Sequence, residues 1–154
     1  MSTSDRETLA ATAAAGAEAA PESSDYVLTA DTARILVVDD EKVIREILAE
    51  FLTLEGFSVH TVEDGEKALT ELRLRPYDLL ITDLKMPGVD GLTVIREAKR
   101  YKADLPVIII TGYSTEASAI EAVNLGVTGY LTKPFRVPQV LNAAAKALGE
   151  ERSM

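Results

Sequence analysis

The 154 residues suffice for one domain plus an extension, and a hydrophobic share of 47% is ordinary for a chain that buries a full core. The net charge of −9 argues against holding nucleic acid by bulk attraction, and the absence of cysteine excludes disulfides, thiolate catalysis and zinc–thiolate sites. No apolar stretch approaches the ~20 residues that span a bilayer and the N-terminus lacks the basic and apolar regions of a secretory signal, so no membrane partner is expected and the expected location is cytoplasmic.

Residues 1–32 are rich in Ala, Ser, Thr and Glu, are broken by Gly16 and Pro21, and hold few large apolar side chains beyond Leu9, Val27 and Leu28. Such a segment buries too little surface to offset the entropy of ordering it. It reads as a flexible extension, with 5–20 as a marginal helix in need of a partner. From Arg34 onward short apolar runs alternate with stretches of helical period, which places a domain over 33–149 and a short tail over 150–154. The runs at 35–38, 59–62, 79–82, 107–110 and 128–131 read as strands. Three of them are nearly all apolar, as parallel strands covered on both faces are.

The helices follow from their own signals. Residues 41–54 put Val43, Ile44, Ile47, Leu48, Phe51 and Leu52 on one stripe, and 65–73 group Ala68, Leu69 and Leu72. Asp64 and Asp90 stand where N-caps belong, and Ser114 is expected to open a fourth helix at about 115–125. That helix offers Ala117, Ala119 and Ala122 beside Ile120 and Val123, a slim stripe, so it should be the least firmly packed. Gly56 and Gly126 follow helices where a left-handed residue is wanted. A last helix over 137–148 uses Val140, Leu141, Ala144 and Leu148. Five βα repeats make an α/β fold, a doubly wound five-stranded parallel sheet whose site lies outside the carboxyl ends of the strands, where strand order reverses.

The residues after each strand bear chemistry. Asp39-Asp40-Glu41 follow the first, Asp83 the third, Thr111-Gly112 the fourth and Thr132-Lys133-Pro134-Phe135 the fifth; Glu63-Asp64-Gly65 after the second reads as a turn and cap. Clustered carboxylates repel one another, and a cation relieves the repulsion. Mg2+ takes one or two carboxylates plus phosphate oxygens and water. An aspartate can form an aspartyl phosphate, a lysine supplies a point charge to a phosphoryl oxygen, and a threonine hydroxyl a hydrogen bond. The pattern points to phosphoryl chemistry on Asp83.

Val37-Val38-Asp39-Asp40-Glu41, Asp83 with Met86-Pro87-Gly88 and Asp90-Gly91, Thr111-Gly112, and Lys133-Pro134-Phe135 resemble the receiver domains of two-component response regulators over about 33–149, with a flavour of nitrogen-regulation receivers. The resemblance implies a flavodoxin-like sheet of order 2-1-3-4-5. It implies Asp83 as phosphoacceptor from a sensor histidine kinase or phosphotransfer protein, and Mg2+ on Asp40, Asp83 and the Lys85 main-chain carbonyl, with Asp39 acting through water. It also implies Lys133 on the phosphoryl group, Thr111 turning inward, Tyr130 as the partner aromatic of the switch, and a cis Lys133-Pro134 bond. Such a protein is a switch, not an enzyme beyond its own phosphorylation and dephosphorylation. Its output face would be the fourth helix, fifth strand and fifth helix, offered to an unidentified downstream protein or to a second copy as a homodimer. No effector motif follows Leu148, so a stand-alone receiver is expected.

Each residue has a plainer reading. Asp39-Asp40 alone could be a helix cap, Lys133 a surface lysine and Tyr130 a core aromatic; their convergence decides against this. His60 is expected at the surface, and Gly88 and Gly91 serve backbone geometry. A haloacid-dehalogenase-like phosphohydrolase wants Asp-x-Asp after its first strand, where this chain has Asp-x-Glu. A flavin or nucleotide binder wants a glycine-rich loop there. A non-phosphorylated receiver-like interaction module is the remaining alternative.

Overall fold

Runs of Leu, Ile and Val that are apolar at every position must be covered on both sides, and this requirement builds the molecule. The computed structural model describes residues 32–149. The extension expected over 1–32, apart from Thr32, and the tail expected over 150–154 lie outside the described residues. The elements are β1 (Arg34–Val38), α1 (Lys42–Leu54), β2 (Ser58–Val62), α2 (Gly65–Leu74), β3 (Leu79–Thr82), α3 (Gly91–Tyr101), β4 (Val107–Thr111), α4 (Glu116–Asn124), β5 (Gly129–Thr132) and α5 (Val137–Ala147). The five strands are parallel in the order β2-β1-β3-β4-β5.

Successive strand side chains point to opposite faces. Ile35, Val37, Leu79, Ile81, Ile108 and Ile110 therefore pack with Leu48 and Leu52 of α1 and Val140 and Ala144 of α5. Leu36, Val38, Leu80, Val107 and Ile109 pack on the other side with Ala68, Val94, Ile95, Ala98 and Ala122 of α2, α3 and α4. Strand order reverses at β1 and β3, so the crevice predicted from the repeats opens beyond Val38 and Thr82.

Several local expectations shift. The β5 ladder begins at Gly129 and runs to Thr132, one residue later than predicted, because Thr128 closes the turn with its amide on the Val107 carbonyl at 2.7 Å. Thr111 is the last residue of β4 and pairs with Thr132. Ser114 does not cap α4. Thr115 does, its hydroxyl accepting from the Ser118 amide and Ser118 Oγ from the Thr115 amide, both at 3.0 Å. On α1 only Leu48 and Leu52 are fully buried, and Val43 and Phe51 are exposed, because the stripe read from sequence is wider than the strip the sheet covers. Ala122 is the one fully buried residue of α4, where every other helix has at least two. Asp64 and Asp90 cap as predicted, and His60 lies on the edge strand, half exposed and 3.6 Å from Glu71.

At the amino end of the sheet, buried Tyr77 donates its hydroxyl to Glu71 Oε1 at 2.7 Å, under the Arg34 guanidinium. That bond holds the Glu71 carboxyl below its usual range. Burial, aided by Glu71, pushes the Tyr77 phenol up to about 12. An unfolded tyrosine titrates near 10. The stability this group provides is therefore complete below pH ~10 and is lost as pH climbs towards 12. Tyr77→Phe should cost about 1–2 kcal/mol at neutral pH and flatten that alkaline slope, read by urea unfolding at both pH values.

Candidate functional site

The ladder carries both key carboxylates into the crevice. The Asp39 amide still bonds the Val62 carbonyl at 3.2 Å, and the Asp83 amide bonds the Val38 carbonyl at 3.0 Å. Each side chain is thereby held inward, with residue exposures of only 2% and 3%. Backbone amides fix their orientation. Glu41 N donates to Asp39 Oδ1 at 2.8 Å, and Leu84 N donates to Asp83 Oδ1 at 2.6 Å. The Lys133 amide continues from β5 onto the Thr111 carbonyl at 2.9 Å, which aims its side chain across the rim. Lys133 Nζ lies 2.9 Å from Asp39 Oδ2, 2.9 Å from Asp83 Oδ2 and 3.0 Å from Glu41 Oε1. The Lys133-Pro134 bond is cis.

The electrostatics follow from burial. It raises the Asp39 carboxyl above its usual value, against the opposing pull of the Glu41 amide and Lys133. Burial also works against the Lys133 charge, but Asp83, Asp39 and Glu41 outweigh it and hold the ammonium above the ordinary lysine range. Asp39, Asp40 and Asp83 each offer an oxygen within 4.8 Å of the others, and Asp40 is exposed. Oxygens on one Mg2+ at ~2.1 Å lie at most about 4.2 Å apart, so Asp40 and Asp83 fit a hard divalent cation after small adjustments, with Asp39 near enough to act through water. The cleft above it, about 590 Å3, is lined by Asp40, Glu41, Asp83, Lys85, Met86, Pro87, Gly112, Tyr113 and Lys133.

The structure thus brings Asp39, Asp40, Asp83 and Lys133 together. Thr111 sits at the end of the neighbouring strand, fully buried, its hydroxyl accepting the Tyr113 amide at 3.0 Å. The Lys85 amide approaches Asp83 Oδ1 at 3.4 Å, which keeps its backbone beside the cluster. The Lys85 ammonium lies over the Tyr113 ring, 5.7 Å from its centre. Tyr130 is half buried against the core of the α3 side, its hydroxyl 2.8 Å from Ser114 Oγ and 3.5 Å from Ser118 Oγ, so it ties β5 to the start of α4. Gly88 takes a left-handed φ of +79°, whereas Gly91 packs its bare Cα against the Asp83 carbonyl.

Sequence reasoning gave Glu41 no contact of its own and missed Arg45, whose Nη1 donates to the Asp39 carbonyl at 2.7 Å. The signal for Arg45 was present: it stands one helical turn beyond Glu41, facing the same strand end.

Residues 35–145 match the response regulator receiver domain family. The chain is 40% identical over 115 residues to a probable transcriptional regulator, ycf27, of Cyanophora paradoxa, covering 75% of this chain and 47% of that one. It is 37% identical over 112 residues to the DNA-binding transcriptional regulator NtrC of Klebsiella pneumoniae, covering 73% of this chain and 24% of that one. The chain therefore spans less than half the length of these relatives. Among solved structures it resembles the response regulator TrrA of Thermotoga maritima in complex with Mg2+ and BeF, with 39% identity, a TM-score of 0.69, and coverage of 76% of this chain and all of that one.

Proposed function

The chain belongs to the response regulator receiver domain family, and on that premise we propose that it is a phosphorylation-dependent switch that takes a phosphoryl group on Asp83 from a sensor histidine kinase or phosphotransfer protein. Receiver domains are signalling switches, not classical enzymes, and they bind Mg2+ at an acidic pocket. One observation carries the reading here: the Asp83 carboxylate shares its pocket with Asp39 and Asp40 and lies 2.9 Å from Lys133.

In the proposed step a carboxylate oxygen of Asp83 attacks the phosphorus. An O–P bond forms as the donor's P–N bond breaks, and the leaving imidazole keeps the electron pair. Asp40, Asp83 and the Lys85 carbonyl would hold Mg2+, with Asp39 reaching it through water. Bound there, the ion supplies neutralisation of the phosphoryl oxygens. Lys133 moves its point charge onto one phosphoryl oxygen, and the Thr111 hydroxyl turns to another.

The signal needs an element with two arrangements. Helix α4, with Ala122 as its one fully buried residue and Tyr130 clasped to Ser114 and Ser118, is that element in the proposal. A shift there would remodel the α4-β5-α5 face for a downstream protein or for a homodimer. Among the described residues no helix is long and apolar enough to cross a membrane; the cytoplasm is the proposed location.

Lys85 and Tyr113 stand over the mouth of the cleft and shield a phosphorylated Asp83 from water. Replacing both by alanine should speed phosphate loss up to about tenfold, the effect of lowering the barrier by ~1.4 kcal/mol, as followed by the decay of the phosphorylated mass. The central test is mass spectrometry after incubation with acetyl phosphate and Mg2+. The expected result is one added phosphoryl group, located on Asp83. No uptake would leave the chain as an interaction module.

A further inference from the structure

Lys133 Nζ has three carboxylate oxygens within 3.0 Å, from Asp39, Glu41 and Asp83. An ammonium has three protons. Two of them hydrogen-bond Glu41 Oε1 and Asp83 Oδ2, and Asp39 Oδ2 crowds the same nitrogen at 2.9 Å, so a phosphoryl oxygen reaches it only as one partner lets go.

The three partners are unequal. The Asp39 and Asp83 side chains are 3% exposed, and a backbone amide ties the second oxygen of each. The Glu41 side chain is 59% exposed, and among the described residues Lys133 is the only partner of its carboxylate. An exposed ion pair is weak, and a released glutamate regains rotamer freedom. Glu41 is the partner that can leave.

We propose that Glu41 is a placeholder for the phosphoryl group: its carboxylate occupies the Lys133 proton that a phosphoryl oxygen takes over, and it swings into solvent when the anion binds. The inference rests on the reading of Asp83 as phosphoacceptor. It makes Glu41 a positioning residue and a brake. While in place it holds the ammonium and adds negative charge at the mouth of the cleft, which it lines with Asp40 and Lys85. Both effects oppose a negatively charged phosphoryl donor.

Glu41→Gln and Glu41→Ala should therefore be phosphorylated by acetyl phosphate about three- to fivefold faster than wild type, the range set by one exposed ion pair. Glu46→Gln makes the same change of net charge in the helix that Glu41 precedes, away from the cleft, and should leave the rate unchanged. A second readout needs neither metal nor phosphate. In protein labelled with 15N-lysine, the Lys133 ammonium protons should exchange with water faster in both Glu41 variants. Equal or slower phosphorylation of the variants beside a phosphorylated wild type overturns the brake and leaves the switch standing. Ammonium exchange indifferent to the substitution overturns the contact. A wild type that takes no phosphoryl group ends the parent reading, and this one with it.

Discussion

Asp83→Asn should take up no phosphoryl group from acetyl phosphate and Mg2+, while its fold survives. The first half is chemical, because an amide oxygen is not the nucleophile a carboxylate is. The second half turns on magnitude. Breaking a buried ion pair commonly costs 3–5 kcal/mol, because the abandoned charge is left uncompensated. Lys133 is not abandoned here, since Asp39 Oδ2 and Glu41 Oε1 remain within 3.0 Å of it. The variant also removes one of three mutually repelling carboxylates from a cluster 4.8 Å across. Stability without metal should thus fall by no more than about 1 kcal/mol. The response to Mg2+ should change more. A ligand at a hundredfold excess over its Kd stabilises a fold by about 2.7 kcal/mol. Wild type should gain stability on that scale and Asp83→Asn distinctly less, as read by thermal unfolding with and without Mg2+. An Asn variant that still gains a phosphoryl mass would move the acceptor elsewhere and sink the assignment.

The contrast between what sequence reveals and what it hides runs along a physical line. The strands were legible because doubly covered strands have no polar face to confuse the period: Leu79 to Ile81 and Val107 to Ile110 are each at most 1% exposed. The convergence of Asp39, Asp40, Asp83 and Lys133 was legible because a parallel sheet puts every carboxyl end on one rim. Contacts that depend on side-chain reach were not legible. Nothing in Asp39-Asp40-Glu41 says that the third acid bends back to Lys133, since both Glu41 and Lys133 are long and flexible. The cap of α4 was misplaced by one residue because Ser114 and Thr115 are both good caps. The choice fell to Thr115 when Ser114 Oγ met the Tyr130 hydroxyl, a tertiary contact invisible to local propensity. The exposure of Val43 and Phe51 is of the same kind. A helical stripe states which side faces inward, not how far the sheet beneath it extends.

Gly91→Ala should be the most damaging single methyl in the domain, though it lies outside the hydrophobic core. An alanine Cβ at this position would sit 1.9 Å from the Asp83 carbonyl oxygen, 2.8 Å from Leu84 Cα and 2.9 Å from the Asp83 carbonyl carbon. All three are backbone atoms, so no rotamer relieves the overlap. Helix propensity works the other way, since alanine is favoured over glycine by about 1 kcal/mol within a helix. Overpacking against rigid atoms costs about 1–3 kcal/mol or more, so a net loss of about 2 kcal/mol or greater is expected in urea unfolding. The site should suffer as well. The peptide that must move joins Asp83 to Leu84, and the Leu84 amide holds Asp83 Oδ1 at 2.6 Å. Displacing it turns the Asp83 carboxylate, so, with Asp83 as the proposed acceptor, phosphoryl uptake should fall even where the variant remains folded. Gly88→Ala isolates the effect. Gly88 has φ of +79°, and a methyl added there would meet nothing within 4 Å, so alanine introduces backbone strain of ~1–2 kcal/mol without touching Asp83. Uptake should persist in Gly88→Ala and collapse in Gly91→Ala. Equal uptake in the two would mean that the seat of α3 on the Asp83 carbonyl does not set the geometry of the acceptor.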